Sequence, residues 1–303
     1  MERVIQLLDA IPYLRAYAGQ TFVVKVGGEL LLQRAWRDGV ARDLAVLHRL
    51  GIDTVLVHGG GPQLDKALAD REIPIERVAG RRITDKPTLD IAIQEWRGTC
   101  SAEWVSALAQ QGEAAVGLSG ADGGLLLAKK RSRVDVVDDD GHERSVDYGY
   151  VGDVVEVRAE VLHAILSIPA MPVVSPLAIG ESGQLLNVNA DTVAAEIAVA
   201  LGAAKLILLT RAPGILEDAS NAASVLHWAD LSELDRLEAA GALSGGMRPK
   251  VTAIRRAIKG GVPRVHVVDG RRAGALLEEV FTTEGSGTLV VNEANEAPAE
   301  PLR

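Results

Sequence analysis

Two lysines in this sequence stand beside glycine turns, where a cation can meet an anionic ligand. Lys25 lies in an otherwise apolar stretch, two residues before Gly27. Burying a lysine is costly unless its ammonium group reaches a polar cleft or an anion, so this position favours a phosphate partner over a lysine that only extends to solvent at a strand end. Lys250 follows a second glycine turn, Gly245-Gly246, before a predicted helix.

Two amides and a carboxylate open a predicted helix in the second half of the chain, at Asn187, Asn189 and Asp191. Helix capping explains any one of them, but it does not need all three. Two lysines together with a carboxylate suggest phosphoryl transfer without a covalent intermediate. In such a site the protein positions two anionic reactants and offsets their shared charge.

Two glycine turns in the first part of the chain are candidate anion sites. Gly27-Gly28 and Gly59-Gly60-Gly61 each follow a predicted buried strand and open a helix. A backbone without Cβ atoms lets a ligand come close, and a helix N-terminus offers unpaired N–H groups to an anion. Neither turn has the GxxxxGK[ST] or the GxGxxG pattern. A single turn of this kind is more often only a tight turn, but two at the strand ends of one sheet favour a phosphate site.

No competing catalytic set stands out. The six histidines lack metal-ligand spacing and no GxSxG elbow is present, so no metal-ligating residue is predicted. Cys100 lies in a helical pattern without a partner signal, and we predict that it is a core residue.

The elements that must position these residues follow a repeated order of strand, glycine turn and helix. Apolar strands are predicted at 22–26, 54–57 and 115–118, each ending in a glycine turn. Such βα units imply an α/β fold with a parallel sheet and helices on both faces, and ligands of these sheets bind at the carboxyl ends of the strands. Later patterns predict a helix from Asp191, a strand at 205–209, a helix at 231–240, a helix ending at Lys259 and a strand at 264–268.

Residues 125–155 break this order. An Asp-Gly turn within 138–141, flanked by alternating residues, predicts a β-hairpin set on the main sheet. The basic residues at 129–133 are interpreted as a solvated hairpin face, because no aromatic residues are interleaved with them as a nucleic-acid patch would require.

The composition agrees with an α/β enzyme and excludes several other classes. The 303 residues are 48% hydrophobic and 24% charged, with 31 glycines and 3% aromatic residues. A net charge of −9 argues against a nucleic-acid partner, and no apolar stretch reaches the roughly 20 residues of a membrane-spanning helix. One cysteine and no targeting signal predict a cytoplasmic protein without an internal disulfide. The length predicts two lobes, divided near residue 180.

An ordered series of motifs covers the chain from about residue 8 to 291. On these motifs the sequence resembles the N-acetylglutamate kinases of the amino acid kinase superfamily, which act in the second step of arginine biosynthesis. Each motif alone is weak, whereas the ordered series is specific. The motifs are VVKVGG at 23–28, VHGGGPQ at 57–63, GRRITD at 80–85, VGLSG at 116–120, NVNAD at 187–191, LLT at 208–210 and GGMRPK at 245–250.

The resemblance implies the amino acid kinase fold, a three-layer αβα sandwich with a central, mainly parallel sheet and two lobes. It also gives the predicted parts of the chain a role. These are an N-terminal oligomerisation helix (1–20), a lobe that binds acetylglutamate (21–180), a lobe that binds ATP (181–291) and a flexible tail (292–303).

The implied reaction is phosphorylation of the γ-carboxylate of N-acetyl-L-glutamate by ATP, with Mg²⁺, to an acyl phosphate. By resemblance, Lys25 and Lys250 stabilise the transferring phosphoryl group and Asp191 orients both lysines. A guanidinium can bind the substrate's α-carboxylate through two hydrogen bonds, which suits an arginine there. The implied acetylglutamate residues are Gly59, Gly60, Arg82 and Asn187, and the implied ATP residues are Gly27, Gly28, Arg211, Gly214, Ile215, Leu216 and Ser244.

A further match concerns regulation. Residues 4–17 have the apolar spacing of an amphipathic helix, with a kink predicted at Pro12, and this helix packs either on its own subunit or on another. Both ends of the chain resemble arginine-inhibited hexameric members more than the short dimeric type. The resemblance thus implies a homo-oligomer, a dimer or a hexamer built from dimers, and arginine as feedback inhibitor. The implied arginine site comprises Tyr13, His266, Glu279 and Gly285.

Two positions depart from the family pattern. Arg211 stands where an acidic residue usually follows Leu-Thr, and Glu29 stands where Asn or Ala is common among arginine-sensitive members. Two other functions therefore stay open: a non-catalytic arginine-sensing module, like the kinase-like domains of acetylglutamate synthases, and a sister kinase acting on another amino-acid carboxylate. The lysine pair with Asp191 favours activity, whereas Arg211 favours the non-catalytic module.

Overall fold

A computed structural model describes residues 11–137, 142–243 and 245–292. Ser244, a predicted ATP residue, lies outside the described residues, as do residues 1–10, the turn at 138–141 and nearly all of the predicted tail. The strands are β1 (Thr21–Val26), β2 (Asp53–His58), β3 (Arg77–Val78), β4 (Arg81–Arg82), β5 (Ala115–Ser119), β6 (Leu126–Lys130), β7 (Val134–Val137), β8 (Glu143–Val146), β9 (Gly152–Val157), β10 (Met171–Ser175), β11 (Leu177–Gly180), β12 (Leu185–Asn187), β13 (Lys205–Thr210), β14 (Ile215–Leu216), β15 (Val225–Leu226), β16 (Trp228–Ala229), β17 (Val265–Asp269) and β18 (Thr288–Val290).

Helices connect most of these strands. None of the helices in the described ranges is long and apolar enough to cross a membrane. They are α1 (11–17), α2 (Arg34–Arg49), α3 (Gly61–Ala69), α4 (Lys86–Ile93), a π-helix (Gln94–Cys100), α5 (Ser101–Gln110), α6 (Glu160–Leu166), α7 (Ala190–Ala200), α8 (Leu231–Ala239), α9 (Met247–Lys259), α10 (Ala275–Phe281) and two short 3₁₀ turns, Gly28–Leu31 and Asp122–Gly124.

The central sheet has eight strands in the order β16-β18-β17-β13-β1-β2-β10-β5. Every neighbouring pair is parallel except β17 and β18. β1 lies between β2 and β13, so β1 pairs with a strand from the second half of the chain. The prediction of a mainly parallel central sheet is confirmed.

Alternation along β1 explains the three layers. Phe22 and Val24 belong to one apolar core, which also contains residues of α2 and α5, whereas Val23 belongs to a second core with residues of α7 and α9. Because successive side chains of a strand point to opposite faces, Lys25 points to the same face as Val23, toward α7 and α9. The sheet is therefore covered by helices on both faces, and Lys25 is aimed at the layer that carries Asp191 and Lys250.

Residues 120–157 differ from the sequence-based prediction in two ways. β5 is followed by a 3₁₀ turn and β6 instead of a helix, because Gly123 and Gly124 have φ values of +63° and +67°, which a helix cannot accommodate. β7 and β8 form the expected antiparallel hairpin, but as a separate two-stranded sheet. A further sheet, β12-β11-β6-β9, also lies apart from the central one.

The described part of the N-terminal helix, α1, contacts its own subunit. The ring of Tyr17 packs edge-on against Phe22 at 5.2 Å between centroids. Tyr17 is also buried in the core on the α2 side of the sheet. Cys100 is fully buried at the end of the π-helix, which confirms its prediction as a core residue.

Candidate active site

Lys25, Asp191 and Lys250 meet at the carboxyl end of the central sheet. Lys25 comes from β1, Asp191 from the first turn of α7 and Lys250 from the first turn of α9. Lys25 Nζ is 2.9 Å from Asp191 Oδ1, and Lys250 Nζ is 3.4 Å from Asp191 Oδ2. The structure thus brings the three predicted catalytic residues into one cluster, with the carboxylate between two ammonium groups.

Burial and charge act against each other in this cluster. The three side chains are 7%, 6% and 13% exposed. Burial by itself raises the pKa of Asp191, but the charges of both lysines outweigh it and hold that pKa below its usual value. Burial and the charge of Lys25 lower the pKa of Lys250, and Asp191 opposes them. The ionised carboxylate therefore holds two like charges together at a place that can receive an anion.

At the start of α7, one residue caps the helix and another contacts the two lysines. Asn189 is the N-cap: its Oδ1 accepts hydrogen bonds from the backbone N–H groups of Asp191, at 2.9 Å, and Thr192, at 3.1 Å. The side chain of Asp191 is left to the lysines. Asn187, in β12, instead donates from Nδ2 to Thr84 Oγ1 at 3.1 Å. Capping therefore needs one of the three polar residues, as the sequence indicated.

The two glycine turns lie against each other. A Cβ atom on Gly28 would lie 2.8 Å from the Cα atom of Gly60, so a side chain does not fit there. A Cβ on Gly60 would lie 2.3 Å from the ring of Trp96, whose Nε1 donates to the Gly60 carbonyl at 2.9 Å. The absence of side chains lets the ends of β1 and β2 form one continuous backbone surface beside Lys25.

Arg82 lies at the N-terminus of α3, next to the second glycine turn. It donates a hydrogen bond to the Gly61 carbonyl at 3.4 Å and a second one to Asp65. Burial lowers the pKa of Arg82, and the charge of Asp65 acts in the opposite direction. Thr84, the hydrogen-bond partner of Asn187, follows two residues later. Gly59, Gly60, Arg82 and Asn187, predicted to hold acetylglutamate, therefore border one region.

Glu29 brings a carboxylate to the first glycine turn. A Cβ atom on Gly27 would lie 2.5–2.6 Å from the carboxyl atoms of Glu29, so this carboxyl group covers the turn. The negative charge of Glu29 acts to raise the pKa of Lys250. No group of three or more metal-ligating side chains occurs in the described ranges. A cation in this site would therefore rely on few protein ligands, and Glu29 is a suitable one.

Residues 211–216 lie beside the first glycine turn, because β13 pairs with β1 and the Gly27 N–H donates to the Leu209 carbonyl at 3.3 Å. Arg211 is exposed at the carboxyl end of β13. The Ile215 N–H donates to Thr288 Oγ1 at 2.8 Å, and the Ile215 side chain is fully buried. Gly214 and Leu216, in the same turn, complete the described part of the predicted ATP set.

A cavity lies at the other end of the central sheet. Tyr13, His266, Glu279 and Gly285, the predicted arginine residues, all line one cavity of about 150 Å³. His266 Nδ1 is 2.7 Å from Glu279 Oε1, and the other carboxylate oxygen accepts from the N–H of Gly287 at 2.8 Å. Burial lowers the pKa of His266 to about 4, so the ring is neutral at pH 7.

Sequence reasoning missed Lys205, at the start of β13. Its Nζ donates to His266 Nε2 at 2.9 Å and lies 4.9 Å from the centre of the Tyr17 ring. Burial lowers the pKa of Lys205 to about 7. The signal was present, since Lys205, like Lys25, is a lysine in an apolar strand. Asp65 and Arg77, which contact Arg82 or its partner, carried no such signal.

Known proteins resemble this chain in sequence. The sequence signature of the amino acid kinase family matches residues 20–269. An acetylglutamate kinase from Myxococcus xanthus is 45% identical over 294 residues, which are 97% of this chain and 96% of the relative. An acetylglutamate kinase from Pelobacter propionicus is 43% identical over 290 residues, 96% of this chain and 98% of the relative.

A solved structure also resembles this chain in its fold. N-acetylglutamate synthase from Neisseria gonorrhoeae, complexed with coenzyme A and L-arginine, matches with a TM-score of 0.81 and 29% identity. The match covers 96% of this chain but 66% of the synthase, so this chain spans about two thirds of that longer protein. With the family signature, the near full-length relatives and the parallel sheet in agreement, the chain belongs to the amino acid kinase family, among the acetylglutamate kinases.

Proposed function

We propose that this chain transfers the γ-phosphoryl group of ATP to the γ-carboxylate of N-acetyl-L-glutamate, the second step of arginine biosynthesis. The observation that carries the proposal is the Lys25–Asp191–Lys250 cluster beside two touching glycine turns. Acetylglutamate kinases that are 43–45% identical over almost the whole chain support the choice of substrates.

In the transfer, a carboxylate oxygen of the substrate forms a bond to the γ-phosphorus atom while the bond to the bridging oxygen of ADP breaks. Both reactants are anions, so the main task of the protein is to offset their charge. Lys25 and Lys250 supply two positive charges to the transferring group. Asp191 keeps the two ammonium groups together and oriented, which lowers the reorganisation needed during transfer.

The substrate would bind at the N-terminus of α3. Arg82 would hold its α-carboxylate, while Gly59, Gly60 and Asn187 would contact the rest of the molecule. A buried guanidinium at a helix N-terminus favours a carboxylate twice, through its own charge and through the helix dipole. In this proposal residues 21–180 form the acetylglutamate lobe and residues 181–291 the ATP lobe.

The nucleotide would bind with its phosphates on Gly27 and Gly28 and its nucleoside beside residues 211–216. The resemblance adds Ser244, which lies outside the described residues, to this set. Mg²⁺ bound to ATP would neutralise part of the phosphate charge. Glu29, which covers Gly27 and is not part of an ion pair in the described chain, would contact the metal directly or through water.

The cavity around His266 and Glu279 would bind arginine as a feedback inhibitor. Its buried carboxylate, Glu279, suits a guanidinium ligand, and the solved synthase that resembles this chain was complexed with L-arginine. Tyr13 of α1 lines the same cavity, so a bound ligand would also contact the N-terminal helix. We include in the proposal a cytoplasmic homo-oligomer, either a dimer or a hexamer in which residues 1–20 link dimers.

One assay tests the reaction. The protein is mixed with ATP, Mg²⁺, N-acetyl-L-glutamate and hydroxylamine, and the acyl phosphate is trapped as a hydroxamate. We expect hydroxamate that depends on both substrates and decreases with added arginine. Absence of hydroxamate at all substrate concentrations, with arginine still bound, would overturn the proposal in favour of a non-catalytic arginine sensor, which Arg211 favours. Faster reaction with another amino-acid carboxylate would identify a sister kinase instead.

A further inference from the structure

The carboxylate of Asp65 joins two arginines that face each other across a hairpin. Arg77 in β3 and Arg82 in β4 are cross-strand partners. Arg77 donates from one nitrogen to both Asp65 oxygens, at 2.9 Å and 3.1 Å, and Arg82 donates to Oδ1. Asp65 lies in α3, one turn beyond the glycine turn at Gly61. The hairpin is therefore tied to the helix whose N-terminus borders the proposed substrate site.

The two arginines differ in how far their side chains are buried. The side chain of Arg82 is 9% exposed, whereas those of Arg77 and Asp65 are 45% and 35% exposed. Arg82 Nε is buried and has no hydrogen-bond partner in the described structure. A buried N–H without a partner is costly, so this edge of the guanidinium is poised for an acceptor.

Arg77 changes the net charge of the group that it forms with Asp65 and Arg82. Asp65 alone would cancel the charge of Arg82 and leave a neutral pair, which attracts a carboxylate weakly. With Arg77 present, two guanidinium groups and one carboxylate leave one net positive charge. That positive charge balances the single negative charge of the α-carboxylate of the proposed substrate.

We propose that Asp65 and Arg77 are positioning residues for the acyl acceptor: Asp65 fixes the guanidinium of Arg82 against α3, and Arg77 offsets Asp65, so that Arg82 keeps its charge for the substrate's α-carboxylate. The inference rests on the proposed function and specifies how that site recognises its substrate. Neither residue touches the reacting γ-carboxylate, so both act on binding.

Binding of N-acetyl-L-glutamate to the full chain, measured by calorimetry, tests the sign of the effect. Asp65→Asn adds one net positive charge, so electrostatics alone would tighten binding. If Asp65 positions Arg82, the variant binds about fivefold more weakly, because an oriented guanidinium is lost. Arg77→Gln also binds more weakly, because the net charge of the cluster falls to zero. Equal or tighter binding by Asp65→Asn would overturn the inference.

Two comparisons separate positioning from a general loss of structure. In an Arg82→Gln background, Asp65→Asn should no longer weaken binding, because the positioning effect of Asp65 acts only through Arg82. In the single variants Asp65→Asn and Arg77→Gln, the ATP affinity and the kcat should stay within twofold of the wild-type values, which a misfolded variant would not show. Asp70→Asn, which removes an exposed ion pair with Lys66 from the same helix, is the matched control.

The outcomes for this inference and for the proposed function are distinct. If the wild-type chain binds no acetylglutamate, the proposed substrate is wrong. If it binds and Asp65→Asn weakens binding only where Arg82 is present, the inference holds. If Asp65→Asn weakens binding equally without Arg82, the effect does not pass through Arg82 and the inference is wrong.

Discussion

Lys25 and Lys250 approach opposite oxygens of a single carboxylate, at 2.9 Å and 3.4 Å from Asp191. Lys25 comes from β1 and Lys250 from α9, which are more than 200 residues apart in the sequence. Without the carboxylate, two ammonium groups at this separation would repel each other in a largely buried site. The arrangement therefore makes Asp191 as necessary to the cluster as the lysines themselves.

Removing either lysine should mainly slow the chemical step. We expect Lys25→Ala and Lys250→Ala to lower kcat by about 10²–10³-fold, the usual scale for one electrostatic donor, in the hydroxamate assay. Lys66→Ala, which removes an exposed lysine from α3, is the control and should keep wild-type turnover. Wild-type kcat in either cluster variant would show that the assigned roles are wrong.

Glu29→Gln should change how nucleotide binding depends on magnesium. The Glu29 carboxyl group covers Gly27, so in the proposed nucleotide site it would repel phosphates that carry no metal. We expect the variant to bind ATP in EDTA about fivefold more tightly than wild type does, with a smaller change for MgATP. Calorimetry with and without Mg²⁺ measures both affinities. Glu160→Gln, an exposed acid in α6, is the control, and an equal change in both conditions would contradict the assigned position of Glu29.

Glu279→Gln should weaken arginine inhibition without slowing the uninhibited enzyme. Its carboxylate is buried between His266 and the backbone of residues 286–287, at the opposite end of the central sheet from the lysine cluster. We expect the arginine concentration for half-inhibition to rise about tenfold, since a buried charged hydrogen bond is lost. Glu278→Gln, next to it but paired with Arg272, should behave like wild type. Unchanged inhibition in Glu279→Gln would move the arginine site elsewhere.

Asp43 should make the protein less stable as pH rises. Burial raises its pKa to about 6, although the N–H groups of Gly274 and Leu276 donate to it. The folded state thus holds a proton that the unfolded state has released, and ionisation between about pH 4 and 6 destabilises the folded state.

The free energy of unfolding of wild type, relative to Asp43→Asn, should therefore fall by about 2–3 kcal/mol from pH 4 to pH 7. Urea unfolding at several pH values measures this difference. Burial lowers the pKa of His58 to about 4, so this residue makes the protein less stable as pH falls from about 6.5 toward 4. This effect is opposite to that of Asp43, and it cancels when wild type and Asp43→Asn are compared at the same pH. A difference that is independent of pH would contradict the assignment.

Local patterns were sufficient for five strands of the central sheet, the β7–β8 hairpin and several single residues. The apolar run before Gly27 identified β1. The cost of burying a lysine predicted a polar or anionic surrounding for Lys25, which the structure supplies with the Asp191 carboxylate, and the phosphate partner stays a prediction. The same reasoning applies to Lys205, which lies in an equally apolar strand. These inferences succeed because strand periodicity and burial cost depend on a residue and its near neighbours in sequence.

Tertiary structure decided which distant groups meet. Pairing of β1 with β13 and packing of α7 against α9 bring Asp191 between two lysines, and the hairpin of β3 and β4 brings Arg77 and Arg82 to Asp65. The separate sheet around β6 was not foreseen either. The amino-acid sequence by itself determined the carboxyl ends of β1 and β2, the glycine turns that follow them and the buried position of Lys25, because these follow from short-range rules. Their partners depended on strand order and helix packing, which sum many weak contacts between distant parts of the chain.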